Sequence, residues 1–278
     1  MSTVSQDSGA IVSRDGTRIA YEQRGQGEPV ILVDGALCSR RLGPMPKLAR
    51  VLASRFSVLT YDRRGRGESS DTQPYAPERE IEDLEALVAR VGGSAYLCGI
   101  SSGAVLGALA AARGVSLRGL VLYEAPFIVD GSRANTESDW SCIEAAVRDG
   151  RSSDAVRAFL KSVGVPRGAV AVMRCLPLWS KLRAVAATLP YDGEIVKDYQ
   201  RGGALPAQPW ARVEVPALVL AGGKSPPWLQ AAARALAERL PNAEYRSLPG
   251  QTHDVSAQAL GRACADWFGT GSRAASHS

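Results

Sequence analysis

Short, uninterrupted apolar runs recur along the chain: Val30-Ile31-Leu32-Val33, Val58-Leu59-Thr60-Tyr61, Ala95-Tyr96-Leu97, Leu120-Val121-Leu122-Tyr123 and Ala217-Leu218-Val219-Leu220-Ala221. A run without polar alternation suits a strand covered on both faces. Between these runs lie segments with helical spacing. Residues 46–54 put Leu48, Val51 and Leu52 on one face, residues 78–91 do the same with Ile81, Leu84, Leu87, Val88 and Val91, and small residues fill 104–112. Upstream, Ile11-Val12-Ser13 and Thr17-Arg18-Ile19-Ala20-Tyr21 flank Arg14-Asp15-Gly16, whose Asp-Gly pair predicts a tight hairpin turn. Downstream, a helix over 227–240, a short strand over 244–248 and a closing helix over 255–268 complete the pattern.

The alternation of strand and helix stops between 127 and 212. That stretch reads as four or five short helices broken by Gly150, Gly164-Val165-Pro166, Pro177 and Pro190. The expected fold class is therefore α/β: a mostly parallel, doubly wound sheet with a helical insertion. Residues 1–126 and 213–268 form the core and 127–212 the insertion. The Gly/Ser/Ala-rich stretch 269–278 is expected to be a disordered tail. Ligands of such sheets collect at the carboxyl ends of the strands. Asp34, Asp62, Ser101, Glu124 and His253 all fall there.

Composition narrows the field. The 278 residues suffice for one large core, with 45% hydrophobic and 22% charged positions, as in a soluble globular protein. The net charge of +5 is spread without a basic block or interleaved aromatics, which argues against nucleic acid as a partner. No run approaches the ~20 apolar residues a membrane span needs. The polar stretch 1–10 lacks the apolar segment of a signal peptide, so a cytoplasmic protein is expected. The five cysteines (38, 98, 142, 175, 264) form no Cys-x-x-Cys pair, and neither disulfides nor a metal site are expected. Of the two histidines, His277 lies in the tail, leaving His253 as the candidate imidazole.

Candidate chemistry centres on Gly99-Ile100-Ser101-Ser102-Gly103, set between an apolar strand and a helical run. A serine on so sharp a turn requires neighbours without a Cβ two positions away on each side, which Gly99 and Gly103 provide. The turn lifts its hydroxyl above the sheet, and the positive end of the following helix points at the same spot. An ordinary strand–turn–helix junction carries the same short pattern.

Four pieces in order make the pattern specific: Asp34-Gly35 after the third strand, Asp62-x-Arg64-Gly65-x-Gly67-x-Ser69 after the fourth, Gly99-x-Ser101-x-Gly103 after the fifth and His253 after the last. Together they resemble the α/β-hydrolase family over nearly the whole chain, with the insertion standing where such enzymes carry a helical cap. The resemblance implies a serine nucleophile, Ser101, activated by His253, and an oxyanion hole formed by the backbone N–H groups of Ala36 and Ser102. Leu37, Trp140 and Trp179 are the expected substrate-binding residues. The aromatic and Met residues of the insertion (Trp140, Phe159, Met173, Trp179, Trp210) are equally readable as core packing.

Two departures from the family stand out. Asp34 replaces the usual histidine before Gly35, which brings an acidic side chain near the oxyanion; a turn-capping role is the alternative. The usual aspartate after the seventh strand is missing, with only Ser225 at that place. Glu124, at the end of the sixth strand, is the expected acid partner of His253, a position used by some relatives of this fold, including certain haloalkane dehalogenases. Those enzymes use an aspartate nucleophile, so Ser101 does not suggest dehalogenation. Arg63, Arg64 and Arg66 suggest either a phosphate site or scaffold, and Cys38 either faces substrate or fills space. The expected function is a serine hydrolase cleaving an ester, thioester or lactone through an acyl-enzyme. Non-hydrolytic chemistry on the same fold (acyl transfer, cyclisation or a lyase step) is the alternative, and a binding protein that kept the scaffold is a third reading. No cofactor is expected. The partner is a small-molecule substrate, without nucleic acid or membrane, and a homodimer is an admissible assembly.

Overall fold

The structure, a computed structural model, describes residues 6–131 and 137–275. An antiparallel hairpin, β1 (Gln6–Val12) and β2 (Arg18–Arg24), opens the chain around the Asp15-Gly16 turn. Then follow β3 (Pro29–Val33), α1 (Met45–Leu52), β4 (Ser57–Tyr61), α2 (Pro77–Arg90), β5 (Ala95–Ile100), α3 (Ser102–Ala112) and β6 (Leu117–Tyr123). The insertion supplies five α-helices among the described residues: α4 (Glu137–Arg148), α5 (Ser152–Ser162), α6 (Arg167–Met173), α7 (Leu178–Ala184) and α8 (Leu189–Val196). The core resumes with β7 (Ala217–Gly222), α9 (Pro227–Arg239), β8 (Ala243–Leu248) and α10 (Ala257–Ala275).

The eight strands form one sheet in the order β1-β2-β4-β3-β5-β6-β7-β8, parallel from β4 to β8. Side chains alternate between its faces as the pleat requires. Val30, Leu32, Tyr96, Cys98, Val121 and Leu218 face α1 and α10, while Ile31, Val33, Leu97, Leu120, Leu122 and Val219 face the other layer. That other layer holds α2, α3 and α9, with the insertion packed over α2 and α3 through α8. The helix α3 is buried almost all round, which its run of Ala, Gly and Val permits.

The chain winds to one side of β3 to make β4, then crosses to the other side to make β5. This reversal opens a crevice beyond the carboxyl ends of β3 and β5. Residues 34–36 and Ser101 meet there: a Cβ placed on Gly35 would lie 2.9 Å from the Cβ of Ser101.

The closing helix runs from Ala257 to Ala275, past the expected end at 268. Residues 276–278, with His277, lie outside the described residues.

Candidate active site

Ser101 has φ 57° and ψ −128°, a backbone conformation that L-residues seldom adopt. The flanking glycines make the turn feasible. A Cβ at Gly99 would fall 2.4 Å from the carbonyl oxygen of Gly103, and one at Gly103 would fall 2.3 Å from that of Val33. The strain is offset by a hydrogen bond from the Ser101 N–H to the carbonyl of Tyr123 at 2.9 Å and by the start of α3, whose Ala104 N–H donates to the Ser101 carbonyl at 2.9 Å. Two further non-glycine residues among those described have left-handed φ, Leu37 at 57° and Glu124 at 48°. All three lie just past strand ends, on the loops after β3, β5 and β6. The backbone is strained where candidate chemistry is concentrated.

Glu124 is wholly buried and fixed from three sides. Its N–H donates to Leu220 O at 3.0 Å, its Oε1 accepts from the Gly222 N–H at 2.7 Å, and its Oε2 lies 2.7 Å from His253 Nδ1. Next to it, the Tyr123 hydroxyl donates to the carbonyl of Thr252 at 2.5 Å and tethers the histidine loop. A carboxylate can only accept, so Nδ1 carries the proton in this contact, and Nε2 is the ring nitrogen turned away from Glu124. The His253 side chain is about half exposed, at 46%. Ser225, at the place of the missing aspartate, is buried. The end of β7 instead contributes a backbone donor that orients Glu124.

Asp34 is buried at 4% exposure, and its Oδ1 has no hydrogen-bond partner. Burial pushes its carboxyl well above the usual carboxylate range; Asp62 adds to the rise, and the charges of Arg66 and Arg63 oppose it without prevailing. The shift favours the protonated side chain, which lessens the charge that Asp34 would set beside an oxyanion. Cys38 sits against Gly43 beside it, and burial pushes its thiol up as well. Leu37 is buried in the core cluster, and Ala36 is half-buried on its edge.

The arginines of the 62–69 loop are engaged by carboxylates, as scaffold rather than as a phosphate site. Arg64 clasps Asp83 through two bonds at 2.9 and 2.7 Å and reaches Asp15 at 2.8 Å. Arg63 clasps Glu80 at 2.6 and 2.7 Å. Asp62 accepts the N–H groups of Arg40 at 2.7 Å and Glu68 at 3.0 Å, folding the loop upon itself. Trp140 and Trp179 are buried within the insertion. The indole of Trp140 packs on Gly193 and donates to Gln200 at 3.0 Å; that of Trp179 donates to Ser153 at 3.1 Å. Both bind the helices of the insertion to one another.

Sequence reasoning missed Glu80, Asp83 and Asp192. The first two left a signal, as acids on the apolar face of α2 facing a run of arginines. Asp192 was hidden in Pro190-Tyr191-Asp192-Gly193, which reads as a turn although Pro190 opens α8. Among the described residues no cluster of His, Cys, Asp and Glu fits a metal ion, and no helix is long and apolar enough to cross a membrane.

Comparison with known proteins gives a consistent result. The sequence profile of the Alpha/beta hydrolase family matches residues 34–267. An alpha/beta hydrolase from Sphaerobacter thermophilus DSM 20745 superposes with a TM-score of 0.87 at 43% identity, covering 94% of this chain and 100% of that one. A thermophilic esterase from Thermogutta terrifontis shares the fold, with a TM-score of 0.70 at 21% identity over 95% of this chain and 99% of that one. The uncharacterized hydrolase YraK of Bacillus subtilis (strain 168) is 35% identical over 96 residues, 33% of this chain. That match spans about a third of the relative's length, 35%.

Proposed function

The chain belongs to the alpha/beta hydrolase family, and from that membership we propose that it is a serine hydrolase cleaving an ester, thioester or lactone through an acyl-enzyme. The observation that carries the reading is the contact of Glu124 with His253 Nδ1 at 2.7 Å, on the strand next to the one that presents Ser101. In this reading His253 Nε2 takes the proton of Ser101 as its Oγ attacks the substrate carbonyl. Glu124 holds the imidazole in the required tautomer and stabilises the imidazolium. The N–H groups of Ala36 and Ser102 receive the oxyanion. His253 then returns the proton to the leaving oxygen or sulfur as its bond to the acyl carbon breaks. Water, deprotonated by the same nitrogen, releases the acid and restores Ser101. The insertion covers the site and, with Leu37, shapes the acyl pocket.

Non-hydrolytic chemistry on the same fold would be favoured by two departures from the family, Asp34 in place of histidine and the lack of an aspartate after β7. Burial raises the Asp34 carboxyl and Glu124 meets His253, so both departures are compatible with a hydrolase.

Incubation with a fluorophosphonate tests the reading. One label is expected, on the peptide bearing Ser101, together with turnover of short p-nitrophenyl esters, and His253→Ala slows both. Labelling of Ser101→Ala at the wild-type rate refutes the assignment.

A further inference from the structure

Beneath the crevice, the 62–69 loop meets the insertion through buried charges. Asp192 of α8, 1% exposed, accepts hydrogen bonds from Arg63 Nη1, Arg66 Nη2 and the Ser102 hydroxyl, each at 2.7 Å. Glu80 completes the group through Arg63, so two guanidiniums face two carboxylates and no net charge is buried. Burial alone would raise Asp192, but Arg66 and Arg63, with the Ser102 hydroxyl, hold it below the usual carboxylate range.

The remaining donors of the two arginines reach the loop after β3. Arg66 Nη1 donates to the carbonyl of Gly35 at 2.7 Å and to that of Cys38 at 3.3 Å, and Arg63 Nη1 donates to that of Asp34 at 3.3 Å. Arg66 Nε is held by the Thr188 hydroxyl at 2.9 Å, so the guanidinium has little freedom to turn. The Gly35 carbonyl and the Ala36 N–H belong to one planar peptide unit and point in opposite directions. A guanidinium bound to the carbonyl thus fixes where the N–H points and draws electron density from it, making it a stronger donor. The second donor of the proposed oxyanion hole belongs to Ser102, whose side chain rests on the same Asp192 carboxylate.

We propose that Arg66 and Asp192 are positioning residues of the oxyanion hole: Asp192 ties Ser102 to Arg66, and Arg66 orients and polarises the Gly35–Ala36 peptide. The inference rests on the serine-hydrolase reading given above. A merely structural charge cluster would hold α8 to the core and leave the chemistry unselective. This one ends on the donor peptide, so its loss weakens stabilisation of developing negative charge on oxygen.

A thionoester tests this, because its thiocarbonyl sulfur is larger and a weaker acceptor than oxygen and draws less from N–H donors placed for an oxyanion. The measurement compares kcat/KM for p-nitrophenyl acetate and its thiono counterpart in the full-length wild type, Arg66→Met and Asp192→Asn. In both variants the oxo-ester rate is expected to fall by about tenfold or more while the thiono rate changes little, so the oxo/thiono ratio falls by about the same factor. Partial misfolding lowers both rates together and leaves the ratio unmoved. If Arg66→Met does not fold, the nearly isosteric Asp192→Asn decides alone. An unchanged ratio in the folded variants, with wild-type turnover intact, overturns the inference and leaves the hydrolase reading standing. A wild type that turns over neither compound and takes no fluorophosphonate at Ser101 overturns that reading and the inference with it.

Discussion

Glu124 presents one carboxylate oxygen to His253 Nδ1 and the other to the N–H of Gly222, each at 2.7 Å. The two contacts make the outcome of a conservative change specific. In Glu124→Gln the amide oxygen stays on the Gly222 donor, so the amide nitrogen faces Nδ1. Nδ1 must then accept, the proton moves to Nε2, and the base is lost. We expect kcat for ester hydrolysis to drop on the order of 10³–10⁴-fold, as for other triads with the wrong tautomer, with the melting temperature little changed. Ser225→Ala is expected to leave the rate near that of the wild type. A drop on Ser225→Ala that matches that of Glu124→Gln would place the acid function elsewhere.

Gly35→Ala is expected to separate activity from folding. The new methyl group falls 2.9 Å from the Cβ of Ser101 and 3.5 Å from its Oγ. The Ser101 Cβ must shift and carry the hydroxyl with it, and a misplacement of about 1 Å costs about 10²-fold in rate. Kinetics of p-nitrophenyl acetate hydrolysis alongside circular dichroism would check this; a variant with native spectrum and native rate contradicts the close approach.

Asp34 gives the stability of the protein a particular pH dependence. An acid whose folded pKa is raised keeps its proton in the native state after the unfolded chain has lost it. Stability therefore falls as pH climbs from the ordinary carboxylate range, about 4, towards the raised value, with a limiting slope of about 1.4 kcal/mol per pH unit. Asp34→Asn removes this loss. Urea denaturation is expected to show little gain at pH 4 and a growing gain by pH 8; a gain that shrinks with rising pH would mean the carboxyl is ionised in the fold.

Trp140→Ala empties a site between Gly193 and Phe159 and leaves Gln200 without its indole partner. A buried tryptophan truncated in this way costs about 3–5 kcal/mol, or a melting temperature lower by roughly 10 °C in a chain of this size. Differential scanning calorimetry reads the shift directly, and a melting temperature within about 2 °C of wild type would show that the indole is not packed as described.

The sheet, the order of its elements and the strand-end position of Ser101, Glu124 and His253 were legible in the sequence because each rests on local rules. Continuous apolar runs must be buried on both faces, and Gly99 and Gly103 are required by a turn only a few residues long. The pairing of Glu124 with His253 was reachable by elimination among the carboxylates near strand ends. Asp192 was not reachable in this way. Its partners, Arg63, Arg66 and Ser102, stand about 90 to 130 positions away in the chain, and its neighbours Pro190 and Gly193 suggest a turn. The state of Asp34 was equally hidden, since burial, which sets it, is a property of the whole packed molecule.

The Gly222 contact also bears on how such proteins are found and how they change. At the end of β7 Glu124 uses a main-chain N–H, a group that every amino acid except proline supplies. If Glu124 is the acid, as proposed above, the exposed positions that follow, Gly223 and Lys224, need not furnish one. The exposed Lys224 side chain can vary while its N–H, which donates to Gln251 O at 2.8 Å, still ties the turn to the loop that carries His253. On the proposed reading, a search that requires aspartate at this turn would pass over this chain and over any other that carries its acid on the neighbouring strand.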